Sequence, residues 1–344
     1  MKRVIAWSLV TVILIATLIF AFWNINVWNF NIDFGSINYK YPDDDKYNTG
    51  NATITREELN GINTLDIDWI DGSIDIISYD GDVVELYESS DKALDDDTVM
   101  RWRVHDGKIR IKYYKSGWIF GLFGKSSSNL KKKLTLKIPV DMISEIKVEA
   151  VSTNVNLDLQ YNISEADIET VSGDVRLNGI HTKSTADDEI DIKTTSGKIE
   201  LHDCSSSKLK CESTSGSITV NGIFDNEAKV SAVSGKLELS GIFKKLKCST
   251  VSGDINIRYD GEDLESYKEC FSSLGKCAIE TVSGTARFIC AEFPYGFVAD
   301  MDTVSGSFSS DFATSSANNE YRYGQGEFEI DFESVSGNFK INKN

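Results

Sequence analysis

Val171-Ser172-Gly173-Asp174-Val175 decides the fold of this chain, because close variants of it return at intervals of roughly twenty residues. The Ser-Gly pair recurs at Ser196-Gly197, Ser215-Gly216, Ser234-Gly235, Ser252-Gly253, Ser283-Gly284, Ser305-Gly306 and Ser336-Gly337. A degenerate earlier copy reads Val151-Ser152-Thr153. A repeat of this period predicts a solenoid in which each copy contributes one coil.

Apolar residues alternate with polar ones on both sides of each Ser-Gly pair. The fourth position before the serine holds Val148, Ile168, Ile192, Cys211, Val230, Cys248, Ile279, Met301 and Phe332. This alternation predicts two short strands per copy, each with one buried face. Because one residue type recurs once per copy, stacked coils about 4.8 Å apart are favoured. We therefore predict an all-β protein, a β-solenoid of nine or so coils resembling a β-helix, with a Greek-key sandwich as the alternative.

The glycines of the repeat are predicted to be structural corner residues, because glycine adopts backbone angles that a Cβ atom would penalise. They are Gly173, Gly197, Gly216, Gly235, Gly253, Gly284, Gly306 and Gly337.

These repeats resemble a bacterial family of "putative adhesin" β-strand-repeat proteins of unknown function, whose copies carry Thr-Val-Ser-Gly-Asp-Ile. The matching stretches are Thr170–Val175, Thr250–Ile255 and Thr281–Gly284, with a lead-in at Leu136–Pro139 and a closing segment from Tyr323 to Gly337. The resemblance covers roughly residues 60–344. It implies a right-handed parallel β-solenoid in the cell envelope, and it supplies no catalytic residues.

The N-terminus predicts a membrane anchor. Residues 4–23 contain no charged side chain and follow Lys2 and Arg3. Twenty residues span about 30 Å as a helix, the thickness of a bilayer core. A cleaved secretory signal is the alternative, but no Ala-x-Ala-like site follows the apolar run. We expect residues 1–30 to be a single transmembrane helix with its N-terminus in the cytoplasm and the body outside.

The rest of the chain divides by composition. Residues 31–60 are polar and predict a solvated linker, residues 61–145 a strand-rich beginning of the solenoid, and residues 146–344 the Ser-Gly repeat itself. Two copies are lengthened, at residues 258–278 and 311–331, which predicts side loops on the solenoid surface.

One segment combines apolar and basic residues. Its apolar members are Trp118, Ile119, Phe120, Leu122 and Phe123. The lysines that flank them are Lys112, Lys115, Lys125, Lys131, Lys132 and Lys133. Such a loop is typical of contact with a lipid headgroup layer or a protein partner. The alternative is a loop that covers the open end of the solenoid.

Charge and cysteine content restrict the function. The net charge of −17, from 36 basic and 53 acidic residues, argues against nucleic acid as a partner. Cys204, Cys211 and Cys248 fall at apolar positions of the repeat, so we expect them in the core. Cys270 and Cys277 fall in the first insertion, where a disulfide is one possibility and two thiols the other.

No catalytic, metal-binding or cofactor-binding pattern is present. The three histidines stand far apart, and the sequence has no Gly-x-Ser-x-Gly elbow, phosphate loop or dinucleotide fingerprint. We expect a non-catalytic envelope protein without cofactors that presents its β-solenoid for adhesion or for contact with a protein or glycan. The alternatives are a regulator of envelope stress or assembly that binds a membrane partner, and a glycan-cleaving β-helix enzyme.

Overall fold

The computed structural model describes residues 46–114, 130–182, 185, 187–259 and 275–344. The regular structure of these residues is β-strand, without an α-helix, so the all-β prediction is confirmed. The predicted anchor at 1–30 and the apolar residues at 118–123 lie outside the described ranges. Within those ranges, no helix has the length and apolar character needed to cross a bilayer. The described residues form two compact units, an N-terminal unit (46–207) and a C-terminal unit (208–344).

Fourteen strands begin in the N-terminal unit. They are β1 (Asn48–Thr49), β2 (Ala52–Thr55), β3 (Thr64–Tyr79), β4 (Val83–Ser90), β5 (Arg101–His105), β6 (Lys108–Lys112), β7 (Lys132–Pro139), β8 (Glu145–Asp158), β9 (Asn162–Ile163), β10 (Glu165–Ser172), β11 (Val175–Asn178), β12 (His181–Thr182), β13 (Glu189–Ser196) and β14 (Ile199–Ser215).

Ten strands follow in the C-terminal unit. They are β15 (Ile218–Ser234), β16 (Leu237–Phe243), β17 (Lys245–Ser252), β18 (Ile255–Tyr259), β19 (Lys276–Cys290), β20 (Phe297–Thr303), β21 (Phe308–Ser310), β22 (Ser315–Ala317), β23 (Glu320–Tyr323) and β24 (Phe328–Lys343).

Parallel strands stack in the N-terminal unit as the repeat predicts. Before the corner, β3, β8, β10 and β13 pair in parallel and bring Ile67, Val148, Ile168 and Ile192 into one register column. All four side chains are fully buried. After the corner, the second half of β3 pairs with β8, which in turn pairs with β11, and β11 pairs with β14. Like residues therefore lie above one another in successive coils, which gives a continuous apolar core.

Antiparallel strands close the first coils. β6 and β7 pair in parallel with β3, but β5 pairs antiparallel with β6, and β4 antiparallel with β7. The short strands β1 and β2 then pair antiparallel with β5 and β4. Short, twisted outer strands limit the edge that is open to pairing with another chain.

The C-terminal unit departs from the predicted order of coils. Val230, Cys248 and Ile279 occupy one column, as expected. The next strand is β24, whose Phe332 pairs with Ile279, and Met301 of β20 follows outside it. The last two copies therefore do not stack in chain order. β24, a 16-residue strand, lies between β19 and the shorter strands β20 and β21.

The second lengthened copy is a hairpin rather than a plain side loop. β22 and β23 pair antiparallel, from Ser315 with Arg322 to Ala317 with Glu320, and β23 extends the sheet beyond β20. The two turn residues, Asn318 and Asn319, have φ values of 50° and 64°. Asparagine tolerates such angles, so the turn suits a two-residue hairpin.

The Asp or Asn two positions after the repeat serine accepts a backbone hydrogen bond from a neighbouring coil. The side chain of Asp174 accepts a hydrogen bond from the backbone N–H of Lys198 at 2.8 Å, one coil further on. Asp254 accepts in the same way from Thr285 at 2.9 Å, and Asn154 from the N–H of Asp174 at 2.9 Å. Each side chain satisfies a backbone donor beside the corner, which explains why Asp or Asn recurs two positions after the serine.

The cysteines of the described chain are buried thiols. Cys204, Cys211, Cys248, Cys277 and Cys290 are all buried and reduced. The expectation that Cys277 belongs to the insertion is wrong, because the residue lies in β19 in register with Leu246 and Ile330. Burial raises the pKa of its thiol well above the usual value. Cys270 lies outside the described residues.

Candidate ligand-binding cleft

The predicted corner glycines lie where adjacent coils approach most closely. A Cβ atom built on Gly253 would stand 2.1 Å from the carbonyl oxygen of Gly235, and one on Gly284 would stand 2.0 Å from that of Gly253. Such distances are far below van der Waals contact, so a side chain would force the coils apart. Gly306 stacks in the same way on Gly337, which reflects the inserted position of β24.

A cleft of about 540 Å³ opens at the corner of the first coils. Its walls come from the corners of β3 and β8, the ends of β4 and β10, and the start of β7. The lining residues are Asp71, Gly72, Ser73, Ser89, Ser90, Asp91, Lys131, Lys132, Lys133, Ser152, Asn154, Ser172 and Gly173. The cleft is therefore a product of the repeat corner and of the antiparallel strand β4 beside it.

Hydroxyl and charged groups dominate this lining. Five of the lining residues are serines, and two aspartates and three lysines accompany them. On one side, Ser90 donates a hydrogen bond from its hydroxyl to the carbonyl oxygen of Lys131 at 3.3 Å, which ties β4 to the start of β7. On another, Lys133 forms an ion pair with Asp75 at 2.7 Å. The walls of the cleft thus carry both donors and acceptors, and six of the thirteen lining residues are exposed.

Lys132 anchors the strand that lines the cleft. Its side chain points into the core, where Nζ lies 2.6 Å from Glu88 Oε1 and donates a hydrogen bond to the carbonyl oxygen of Thr98 at 2.8 Å and another to that of Tyr113. The ammonium also lies 4.0 Å from the ring centroid of Tyr113 and 5.2 Å from that of Trp69. The second oxygen of Glu88 accepts the backbone N–H of Met100 at 2.9 Å. The pair is completely buried and hydrogen-bonded, as a buried charge must be.

Burial changes the acidity of this lysine. Desolvation disfavours the ammonium and lowers the pKa of Lys132 to about 8, while the charge of Glu88 opposes part of that change. The buried lysine therefore holds its proton less firmly than a surface lysine does.

Sequence reasoning missed both the cleft and the buried lysine. It grouped Lys112 and Lys131–Lys133 with the apolar segment as surface residues, but Lys112 and Lys132 are only 6% and 1% exposed. The signal for Lys132 was present, because Leu134, Leu136 and Ile138 have the same parity along the strand. The candidate contact residues Trp118, Ile119, Phe120, Leu122 and Phe123 lie outside the described residues.

The arrangement suits hydrogen bonding rather than metal binding. Among the described lining residues there is no histidine or cysteine. Across the described chain, no group of three or more His, Cys, Asp or Glu side chains is placed to hold a metal ion. Closely spaced hydroxyl, carboxylate, amide and ammonium groups are the partners that a ligand with many hydroxyl groups requires.

Comparison with known proteins identifies a family and several solved structures. The family described as Toastrack DUF4097 matches residues 62–275. A putative adhesin from Parabacteroides distasonis is 14% identical, with 85% of this chain and 97% of that chain covered and a TM-score of 0.43. A putative adhesin from Bacteroides fragilis is 12% identical, with 86% and 97% covered and a TM-score of 0.40. A putative lipid binding protein from Parabacteroides distasonis is 14% identical, with 85% and 96% covered and a TM-score of 0.42. No curated protein matches the chain.

Proposed function

We propose, starting from the fact that the chain belongs to the Toastrack DUF4097 family, that it is a non-catalytic envelope protein that binds a glycan in its polar cleft. In this proposal, residues 1–30 anchor the chain in the membrane with the N-terminus in the cytoplasm, and the β-stack lies outside. The anchor rests on the uncharged run of residues 4–23 after Lys2 and Arg3.

The lining of the cleft is the observation that carries the binding proposal. Its serines, Asp71, Asp91, Asn154, Lys131 and Lys133 offer donors and acceptors on several sides of one space of about 540 Å³. That volume falls within the range of small-ligand sites, and sugar hydroxyls both donate and accept. The rigid stack beneath fixes these groups before a ligand arrives, which reduces the entropy lost on binding.

Binding of the purified full chain to an array of bacterial and host glycans tests the proposal. We expect a specific signal that falls about tenfold or more in the variants Asp71→Ser and Asp91→Ala, because a hydrogen bond to a charged group contributes about 1.5–3 kcal/mol. Asp71→Ser installs the residue that its register partner Ser152 already supplies, so the corner should be retained. Asp225→Ala, at an exposed aspartate of the C-terminal unit, is the matched control.

Two outcomes would contradict the binding proposal. One is a full chain that binds no glycan above background. The other is an equal loss of signal in Asp225→Ala, which would show that overall charge and not the cleft is responsible.

The topology has its own test. Proteolysis of intact cells or spheroplasts should degrade the body of the protein and spare only the anchor. Survival of the body until the membrane is opened would place it in the cytoplasm.

A further inference from the structure

Basic side chains face one another across the hairpin of β5 and β6. Arg101 pairs with Lys112, Arg103 with Arg110, and His105 with Lys108. These six residues, here called the basic edge, lie on the outward face of the hairpin, while Val104 and Ile109 pair on the opposite face. Like charges directly opposite one another destabilise a sheet, but on its other side β6 pairs with β3, which sets Asp66 opposite Arg110 and Asp68 opposite Lys112.

Acidic partners neutralise only part of the basic edge. Arg101, with its side chain 8% exposed, pairs with Asp96 at 3.3 Å, and Lys112, 7% exposed, lies 3.9 Å from Asp68. Arg110 pairs with Asp66 at 3.3 Å but stays 42% exposed. Arg103 and Lys108 also reach the surface, and the exposed His105 lies 3.1 Å from the carboxylate of Asp106. The groups that can contact an external surface are therefore these three and Arg110.

The same face becomes acidic away from this edge. The register continues from β6 through β3, β8 and β10 to β13. The acids at these outward positions are Asp66, Asp68, Glu145, Glu149, Glu165, Asp167, Glu169, Glu189 and Asp191, and the basic residues are Lys147 and Lys193. Burial, together with the adjacent charge of Asp191, raises the pKa of Asp167 to about 6. One face thus has a positive margin and a strongly negative remainder.

The chain enters the N-terminal unit at the positive margin. The ring of Tyr47, the second described residue, lies 5.5 Å from the guanidinium carbon of Arg103 and 5.1 Å from Nζ of Lys112. β1, which follows at once, pairs with β5. Residues 31–46 connect this point to the predicted anchor, and even fully extended they would span no more than roughly 60 Å.

We propose that the basic edge lies against an anionic lipid surface and orients the N-terminal unit on the membrane. This rests on the proposed anchor, which delivers the chain to that edge. Each Lys or Arg near an anionic bilayer contributes about 1 kcal/mol of attraction, and the acidic remainder of the face is repelled. The anchor and the charge pattern together select one orientation of the unit.

A fluorophore on the basic edge tests the orientation in the full chain. His105→Cys supplies the attachment point, since the native cysteines of the described chain are buried, and labelling of the unsubstituted chain gives the background. The chain is incorporated into phosphatidylcholine vesicles with or without phosphatidylglycerol, each with a headgroup-linked quencher. We expect stronger quenching on the anionic vesicles, with the difference lost at high salt.

Charge reversal identifies the residues responsible. Arg103→Glu with Lys108→Glu should abolish the difference between the two kinds of vesicle, and both changes relieve like-charge pairs. Lys229→Glu with Lys247→Glu changes the net charge equally in the C-terminal unit and should leave the difference intact. Equal quenching on both vesicles, or an equal effect of the control pair, would overturn the proposal.

Failure of the anchor gives a separate result. If the chain does not incorporate, its co-sedimentation with phosphatidylglycerol vesicles still tests the basic edge. Salt-sensitive binding that falls about tenfold or more with Arg103→Glu and Lys108→Glu would support the edge while the anchor is abandoned. No binding to anionic vesicles in that assay would overturn the edge as well.

Discussion

The two units share the same Ser-Gly corner but differ in the side chains that close their outer coils, which are charged in one unit and aromatic in the other. The N-terminal unit buries the ion pair of Lys132 and Glu88 among aromatic rings. The C-terminal unit closes with rings alone, as Phe293 packs 4.5 Å from Phe297 and 6.1 Å from Phe328, measured between centroids. A buried ion pair favours one arrangement of its surroundings but carries a desolvation penalty, whereas an aromatic cluster stabilises by burial and packing. The stability of the N-terminal closure should therefore depend on charge and pH. That of the C-terminal closure should depend only on the volume of its buried side chains.

Removing one member of the ion pair should produce the largest effect. Lys132→Met leaves Glu88 charged and without its ammonium partner inside the core, so we expect the N-terminal unit to lose about 3–5 kcal/mol of unfolding free energy. Denaturant unfolding followed by hydrogen exchange, resolved by peptides from each unit, measures the loss.

The double variant Lys132→Met with Glu88→Gln separates the charge from the packing, because the amide oxygen of glutamine can still accept the backbone N–H of Met100. Replacing both charges removes the uncompensated carboxylate, and we expect most of the lost stability to return. A double variant as unstable as Lys132→Met would show that shape, not charge, makes this closure sensitive.

Truncation in the aromatic cluster should produce a loss of about 3–4 kcal/mol that does not depend on pH. Phe328 is fully buried, and its ring centroid lies 6.1 and 5.9 Å from those of Tyr259 and Phe288. Phe328→Ala therefore leaves a cavity. Val304→Ala is the control, because Val304 is 63% exposed and its loss should change stability by less than about 0.5 kcal/mol. Hydrogen exchange in β19, β20 and β24 reports both variants.

The pH dependence should distinguish the two closures. The pKa of Lys132 is lowered to about 8 in the folded chain, below its value in the unfolded chain. Above pH 8 the folded chain releases this proton while the unfolded chain keeps it, so Lys132 should add about 1–2 kcal/mol to the stability of the N-terminal unit between pH 8 and about pH 9.5. Burial raises the pKa of the Cys204 thiol to about 11, so ionisation of that thiol in the unfolded chain offsets part of this gain. The range ends there because burial also raises the pKa of Tyr113, and ionisation of the unfolded tyrosine acts in the opposite direction at higher pH.

Comparison with Lys132→Met checks the assignment. The gain in stability should be absent from that variant and from the C-terminal unit of the unaltered chain. A gain that persists without Lys132 would have to come from another titrating group.

The local periodicity of apolar residues in the sequence was enough to predict much of the fold. The columns that contain Ile168 and Val230 pair as predicted, because a strand repeated in register leaves the same apolar residue at the same place in every copy. The order of the last coils could not be read in this way. The copies at Met301 and Phe332 fit the same column equally well, so the column pattern does not distinguish which of the two strands pairs with β19.

The cleft was harder to predict because distant segments form it. Asp71, Asp91 and Ser172 approach only when β4 turns back antiparallel beside the first coil, and that pairing leaves no periodic signal in the sequence. Lys132 was missed for a different reason. A lysine between two other lysines reads as surface, although its parity along β7 places it inside.

Removing the aspartate acceptor beside the Ser-Gly corner should lower the free energy of unfolding least. The loss should be the same in both units. Asp174→Ala and Asp254→Ala each remove the acceptor of one backbone N–H, that of Lys198 or of Thr285, and Asp254→Ala also removes a partly exposed ion pair with Arg287 at 3.5 Å. We expect each to lose about 1 kcal/mol by denaturant unfolding, because these bonds lie near solvent and water replaces part of the interaction. Asp174→Asn should lose much less, since the amide oxygen of Asn154 already performs the same task one coil earlier. Equal losses of unfolding free energy in the two units would show that the corner contributes the same stability however each unit closes its outer coils. A much larger loss in the N-terminal unit would mean that its corner also supports the buried pair, so that closure and repeat are coupled there.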